Sequence, residues 1–171
     1  MSGTVYTVPP IPPDAAHTTY VEAGALSFGV EYRLLDDADL AANYKGAAME
    51  EIQANIKGDT VEDNGVSIHV VGADDGHEYL RFDMFAHAPH YHYIDRSGER
   101  QTIMDYDRVA LGDMLPWTLR QLRTRLDRML THAGGDALVP KLDRDQIDTS
   151  LIEVERLARV AQAALAGEAP S

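Results

Sequence analysis

Apolar and polar residues alternate without a break from Ala25 to Leu35. Leu26, Phe28, Val30, Tyr32 and Leu34 fall on one side and Ser27, Gly29, Glu31 and Arg33 on the other. A period of two is that of a strand with one face on a core. Val66–Val71 reads as a second strand. In Tyr79–Ala86, Leu80, Phe82 and Met84 alternate with Tyr79, Arg81, Asp83 and Phe85, and Gln101–Tyr106 closes the series. Gly72-Ala-Asp-Asp-Gly76 and Asp95-Arg-Ser-Gly98 are turn sequences. Such short connections join only antiparallel neighbours, so the pattern predicts an antiparallel sheet of four to six strands over residues 25–107.

Elsewhere the period changes. Asp36-Asp-Ala-Asp39 supplies capping and first-turn acids for a helix carrying Leu40, Tyr44, Ala48 and Ile52. Gly46 interrupts that helix, and Lys57-Gly58 is its expected stop. Asp113 can cap a helix over 113–133, in which Leu115, Leu119, Leu122, Leu126 and Met129 form one seam and Pro116 falls in the first turn. Gly134-Gly135 ends it, and 136–145 is the best hinge candidate. A last helix over 146–166 carries Ile147, Leu151, Val154, Ala161 and Leu165, with Ser150-Leu-Ile-Glu153 in capping-box form. The class is therefore α+β: one domain over 25–171, its sheet backed by two C-terminal helices.

Residues 1–24 stand apart. Prolines 9, 10, 12 and 13 fix φ and remove N–H donors, which predicts an extended, proline-rich arm. Such a segment is either a disordered leader or a strap over a neighbouring subunit, where Val5, Tyr6, Val8 and Ile11 would find apolar cover.

Composition narrows the function classes. The net charge of −13 is uneven: residues 1–80 hold 14 acidic and 3 basic side chains, which argues against nucleic acid as a partner. There is no cysteine, so any metal would be held by His and carboxylate alone. No apolar run is long enough for a membrane span, and the first residues lack the basic and apolar regions of a secretory signal, so a cytoplasmic protein is expected. Nucleotide-binding loops, nucleophile elbows and the His-Glu-x-x-His motif are absent.

The densest chemistry follows Met84. Pro89 must end the strand there, and beyond it His90, His92 and Ile94 share one face while Tyr91 and Tyr93 share the other. Two histidines at i and i+2 on a strand stand about 6.5 to 7 Å apart along the backbone, close enough for both imidazoles to reach one ion. His87, His69 or Asp83 would complete a zinc or iron site, with Asp105 and Asp107 as further acids. The competing readings are a solvated polar face and a proton-sensitive patch.

Arg120, Arg123 and Arg128 line one flank of the 113–133 helix, suited to an acidic partner surface, and Trp117 near its start is a candidate interface anchor. With no strong catalytic motif, the sequence alone favours a non-catalytic accessory or assembly subunit of a cytoplasmic complex, meeting a protein partner or its own copy. The alternative is a metal-dependent enzyme or metal-binding domain using zinc or iron at Asp83, His69, His87, His90 and His92.

Overall fold

The computed structural model describes residues 3–56 and 58–167, so Lys57 of the expected helix stop lies outside the described residues. Its centre is one antiparallel sheet of seven strands: β1 (Thr4–Tyr6), β2 (Thr18–Ala23), β3 (Leu26–Asp36), β4 (Glu62–Gly72), β5 (Glu78–Phe85), β6 (His90–Ile94) and β7 (Gln101–Asp105). The spatial order is β1-β7-β6-β5-β4-β3-β2. The α+β class stands, with a larger sheet than the alternation alone implied.

Both extra strands come from the stretch read as an arm. Thr18–Ala23 turns back onto β3 at Gly24, whose φ of 68° suits glycine. Thr4–Tyr6 pairs with β7, and Tyr6 and Val8 are buried within the same chain instead of reaching across to a neighbour. The four prolines lie between these strands, where no ladder needs their missing N–H groups.

The helices also depart from continuous periods. The first splits into α1 (Asp37–Asn43) and α2 (Ala47–Asn55), separated at Gly46 with φ 57°. Asp36 caps α1 in a full capping box with Asp39. After α3 (Arg108–Leu111), the expected 113–133 helix is two: α4 (Met114–Thr124), capped by Asp113, and α5 (Leu126–His132), with Arg125 in non-helical geometry between them. The leucine seam stays buried through the break, because both pieces follow the sheet surface. A 3-10 turn (Asp136–Lys141) leads to α6 (Arg144–Leu165), whose cap is Asp143. Ser150 is therefore inside the helix, and its hydroxyl donates to the Glu22 carbonyl at 2.6 Å, tying α6 to β2.

Each sheet face is covered. Leu26, Phe28, Val30, Val66, Ile68, Val70, Leu80 and Phe82 meet α4, α5 and α6 in the main core. Trp117 is half-buried there against Phe82, Tyr91 and Tyr106. The opposite face is roofed at one end by a smaller cluster of Tyr6, Val8, Leu40, Tyr44 and Ile52, drawn from β1, α1 and α2. Between this roof and the sheet lie the residues that alternation had assigned to solvent. No helix of the described residues is long and apolar enough to cross a membrane.

Leu122 is fully buried in the main core. Leu122→Ala is expected to lower unfolding free energy by about 2–5 kcal/mol through lost burial and a residual cavity. Ile152→Ala, at a 68% exposed position, is expected to change it by less than about 0.5 kcal/mol. Urea titration of both variants checks the pair, and similar losses would mean that α4 does not seal the core.

Candidate metal centre and buried charge layer

Strand register brings the site together. Across the roofed face, Glu31, Ser67, Asp83, His90 and Asp105 form one cross-strand row, and Gly29, His69, Arg81, His92 and Ile103 form the next. Asp83 on β5 stands directly opposite His90 on β6, with His92 two residues along the same face. The Nε2 atoms of His90 and His92 lie 3.2 and 2.9 Å from the same atom, Asp83 Oδ2. Two donor atoms each about 2.1 Å from one ion stand about 3.0 Å apart at a right angle and about 3.4 Å apart in a tetrahedron. The spacing fits neighbouring ligands on one cation and equally a hydrogen bond from each ring to Asp83. Ligand atoms of all three residues lie within 4.8 Å of one another.

Their outer partners settle which atoms point inward. His90 Nδ1 is 2.7 Å from the Ala88 carbonyl, which can only accept, so this nitrogen carries the proton. Gln101 Nε2 donates to the Val8 carbonyl at 3.2 Å, which turns Gln101 Oε1 toward His92 Nδ1 at 2.7 Å. Nδ1 of His92 is therefore protonated too. Ionised Asp83 Oδ2 accepts from the Nε2 side of the rings, and only when those Nε2 protons leave do both lone pairs face it. Ser67 donates to the other carboxylate oxygen at 2.5 Å. The three groups meet at one point, each held from behind by an outer partner, an arrangement that could also hold a metal ion.

Electrostatics agree with the geometry. Burial works to raise the Asp83 pKa, but hydrogen bonds from both imidazoles hold it well below the usual carboxylate range. His92 is pushed down, chiefly by burial, with His90 and Arg81 adding to it. His90 moves up because Asp83 outweighs its burial. With Asp83 ionised and His90 favouring its proton, the metal-free triad holds a proton between His90 Nε2 and Asp83 Oδ2, which a cation would have to displace.

The next row is a buried ion network. His69 is enclosed, with Nδ1 2.5 Å from Glu78 Oε2 and Nε2 3.1 Å from Glu31 Oε1. Two carboxylate acceptors, one at each ring nitrogen, select the imidazolium. Arg81 holds Glu78 through Nε and Nη2 at 2.9 and 2.7 Å, and Arg33 Nη1 lies 3.6 Å from Glu31 Oε1. A cavity of about 170 Å³ opens against this layer, lined by Asp83, His90, His92, Arg33 and Arg81 on the sheet and by Tyr6, Ile11, Leu40 and Tyr44 from the roof.

Of the residues singled out from sequence, Asp83, His90 and His92 converge. His69 is one row away, spent on Glu31 and Glu78, and His87 is exposed in the β5–β6 loop, where its backbone N–H donates to Asp63. Neither joins the ligand set. Asp105 sits opposite His90 in the register, and Asp107 caps α3. Arg120, Arg123 and Arg128 are exposed. Glu31, Arg33, Ser67, Glu78, Arg81 and Gln101 were missed. Glu78 reaches this face because a bulge at Val70/Val71 shifts the register, moving Tyr79 to the main core.

Residues 20–158 match one family model, DUF7700, a domain of unknown function. No curated protein and no solved structure matches the chain.

The ion network makes stability depend on pH in a defined direction. Burial lowers the His69 pKa, but Glu78 and Glu31 outweigh it and raise the net value above 6.5. Its contribution is therefore complete below about 6.5 and is lost as pH rises through the folded value. Burial opposes Glu78 ionisation, but Arg81 and His69 bring its pKa from 4.5 down to about 2. Its contribution is complete above 4.5 and lost as pH falls toward about 2. His69→Gln, which removes the cation beside buried Glu31 and half-buried Glu78, is expected to cost about 3–5 kcal/mol near pH 5.5. The gap to wild type should narrow in melting experiments as pH rises above 6.5 through the folded value. A gap that widens with pH would mean that His69 is neutral when folded.

Proposed function

We propose that this chain, which belongs to the DUF7700 family, binds one divalent transition-metal ion through Asp83, His90 and His92 and presents it to a small molecule in the adjoining cavity. The observation that carries the reading is the pair of fixed tautomers. Val8 through Gln101, and Ala88 directly, hold both Nδ1–H groups outward, so that both Nε2 atoms and a carboxylate oxygen are aimed at one another. Without a cation or a shared proton that arrangement is repulsive.

Two histidines and one carboxylate suit zinc or iron(II), and three protein ligands leave coordination positions open, as reactive metal sites require. A metal there would polarise a bound oxygen atom or lower the pKa of bound water. The chain's own residues do the rest. Ser67 and Gln101 keep the ligands in place, while the proline-bearing segment with Pro10 and Ile11 covers the cavity and limits water.

A second reading, a cytoplasmic accessory subunit meeting a protein partner or a second copy, draws support from the helical side. There Trp117, Tyr91 and Tyr93 line a groove beside the exposed Arg125 and Arg128, and Arg120 and Arg123 lie on the same helix as Trp117. The two readings occupy opposite faces and do not compete. Light scattering that finds only monomer, with no partner retained on gentle purification, removes the second.

For the first, protein prepared without chelator is expected to carry stoichiometric zinc or iron by elemental analysis and to melt higher when the metal is restored after chelation. Asp83→Asn and His92→Ala should abolish retention. Gln101→Leu, which touches no metal, should weaken affinity about 10–100-fold by releasing the His92 ring. Wild type that binds no transition metal, or an Asp83→Asn/His92→Ala double variant that binds it normally, would end the proposal.

A further inference from the structure

The cavity has a second anchor that the metal reading does not use. Arg33 is 8% exposed, lines the cavity, and its Nη1 has no hydrogen-bond partner among the described residues. The nearest carboxylate oxygen, Glu31 Oε1, is 3.6 Å away, beyond hydrogen-bond range, and already accepts from His69. The other Glu31 oxygen accepts from the Asp14 backbone N–H at 2.5 Å. Among the described residues, Nη2 of Arg33 makes one long contact, 3.4 Å, to the Ile11 carbonyl. A guanidinium carries five donors in a fixed fork, and leaving one buried and unmet costs its full desolvation.

We propose that Arg33 receives the carboxylate of a small organic acid whose apolar body fills the cavity beside Asp83, His90 and His92. An Arg fork matches a carboxylate in two parallel hydrogen bonds, and the anion would complete what Glu31 leaves undone. The remaining walls decide the body. Tyr6, Ile11, Leu35, Leu40, Ile52 and Ile103 are mainly apolar, and a volume near 170 Å³ admits a short branched or cyclic chain but no nucleotide. Inorganic phosphate, which needs donors all round, finds apolar surface instead. The inference rests on the metal reading only for what happens to the acid; recognition belongs to Arg33.

The test uses full-length, metal-loaded protein and 4-methylpentanoate as the probe, with 4-methylpentanamide as its uncharged counterpart and inorganic phosphate as the bare anion. Calorimetric titration is expected to show the acid binding at least tenfold more tightly than either comparator. Arg33→Met should weaken the acid at least tenfold, Arg33→Lys should recover part of the loss, and metal content should be unchanged in both. Amide binding as tight as acid binding overturns the proposal without any variant, and so does an Arg33→Met protein that melts cooperatively and binds the acid normally. Phosphate binding more tightly than the acid also overturns it. A protein that takes no metal yet binds the acid through Arg33 would sink the metal centre and leave this inference standing.

Discussion

Covering a sheet on both faces removes the solvent that its polar side chains would otherwise use, and the second face of this sheet is rich in them. Glu31, Arg33, His69, Arg81, Asp83 and His92 are all buried under or beside the roof formed by β1, α1 and α2. A buried ion is tolerated only when its attraction to a partner and its hydrogen bonds offset a desolvation cost of several kcal/mol. That requirement explains the pairing on this face. Glu78 lies against Arg81 and His69, Glu31 against His69 and Arg33, and Asp83 against His90 and His92. Arg33 and the Asp83 triad are the two places where the internal accounting leaves something over, and both border the cavity.

The two rows behave differently because their histidines meet different neighbours. His69, flanked by two carboxylates, is committed to a proton and serves the fold. His90 and His92 turn their Nδ1 atoms to a carbonyl and an amide oxygen, which directs both Nε2 atoms at Asp83. What stands behind each ring, not burial, decides where its second nitrogen points.

Much of this was legible in the residues. Period-two alternation located β3, β4, β5 and β7, and strand parity placed His90 and His92 on one face with Tyr91 and Tyr93 on the other. Alternation says which side chains share a face but not whether the face is covered, so Glu31 and Arg33 read as the wet side of an amphipathic strand. Their cover comes from segments with weak signals: a proline stretch and two short helices split at Gly46. Register was also hidden. Nothing local reveals that β4 and β5 set His69 opposite Arg81 and not Asp83, or that a bulge brings Glu78 onto the same side. Gln101, the first residue of a strand, carried no signal until the Val8 carbonyl behind it was visible.

That last contact spans 93 positions, and it belongs to the pairing of the first strand with the seventh. Contacts so distant in sequence carry a loop-closure cost and slow folding. The His92 ring is therefore held in orientation by the segment that follows β1, through Gln101. A change at that distant segment would free the ring without altering Asp83, His90 or His92.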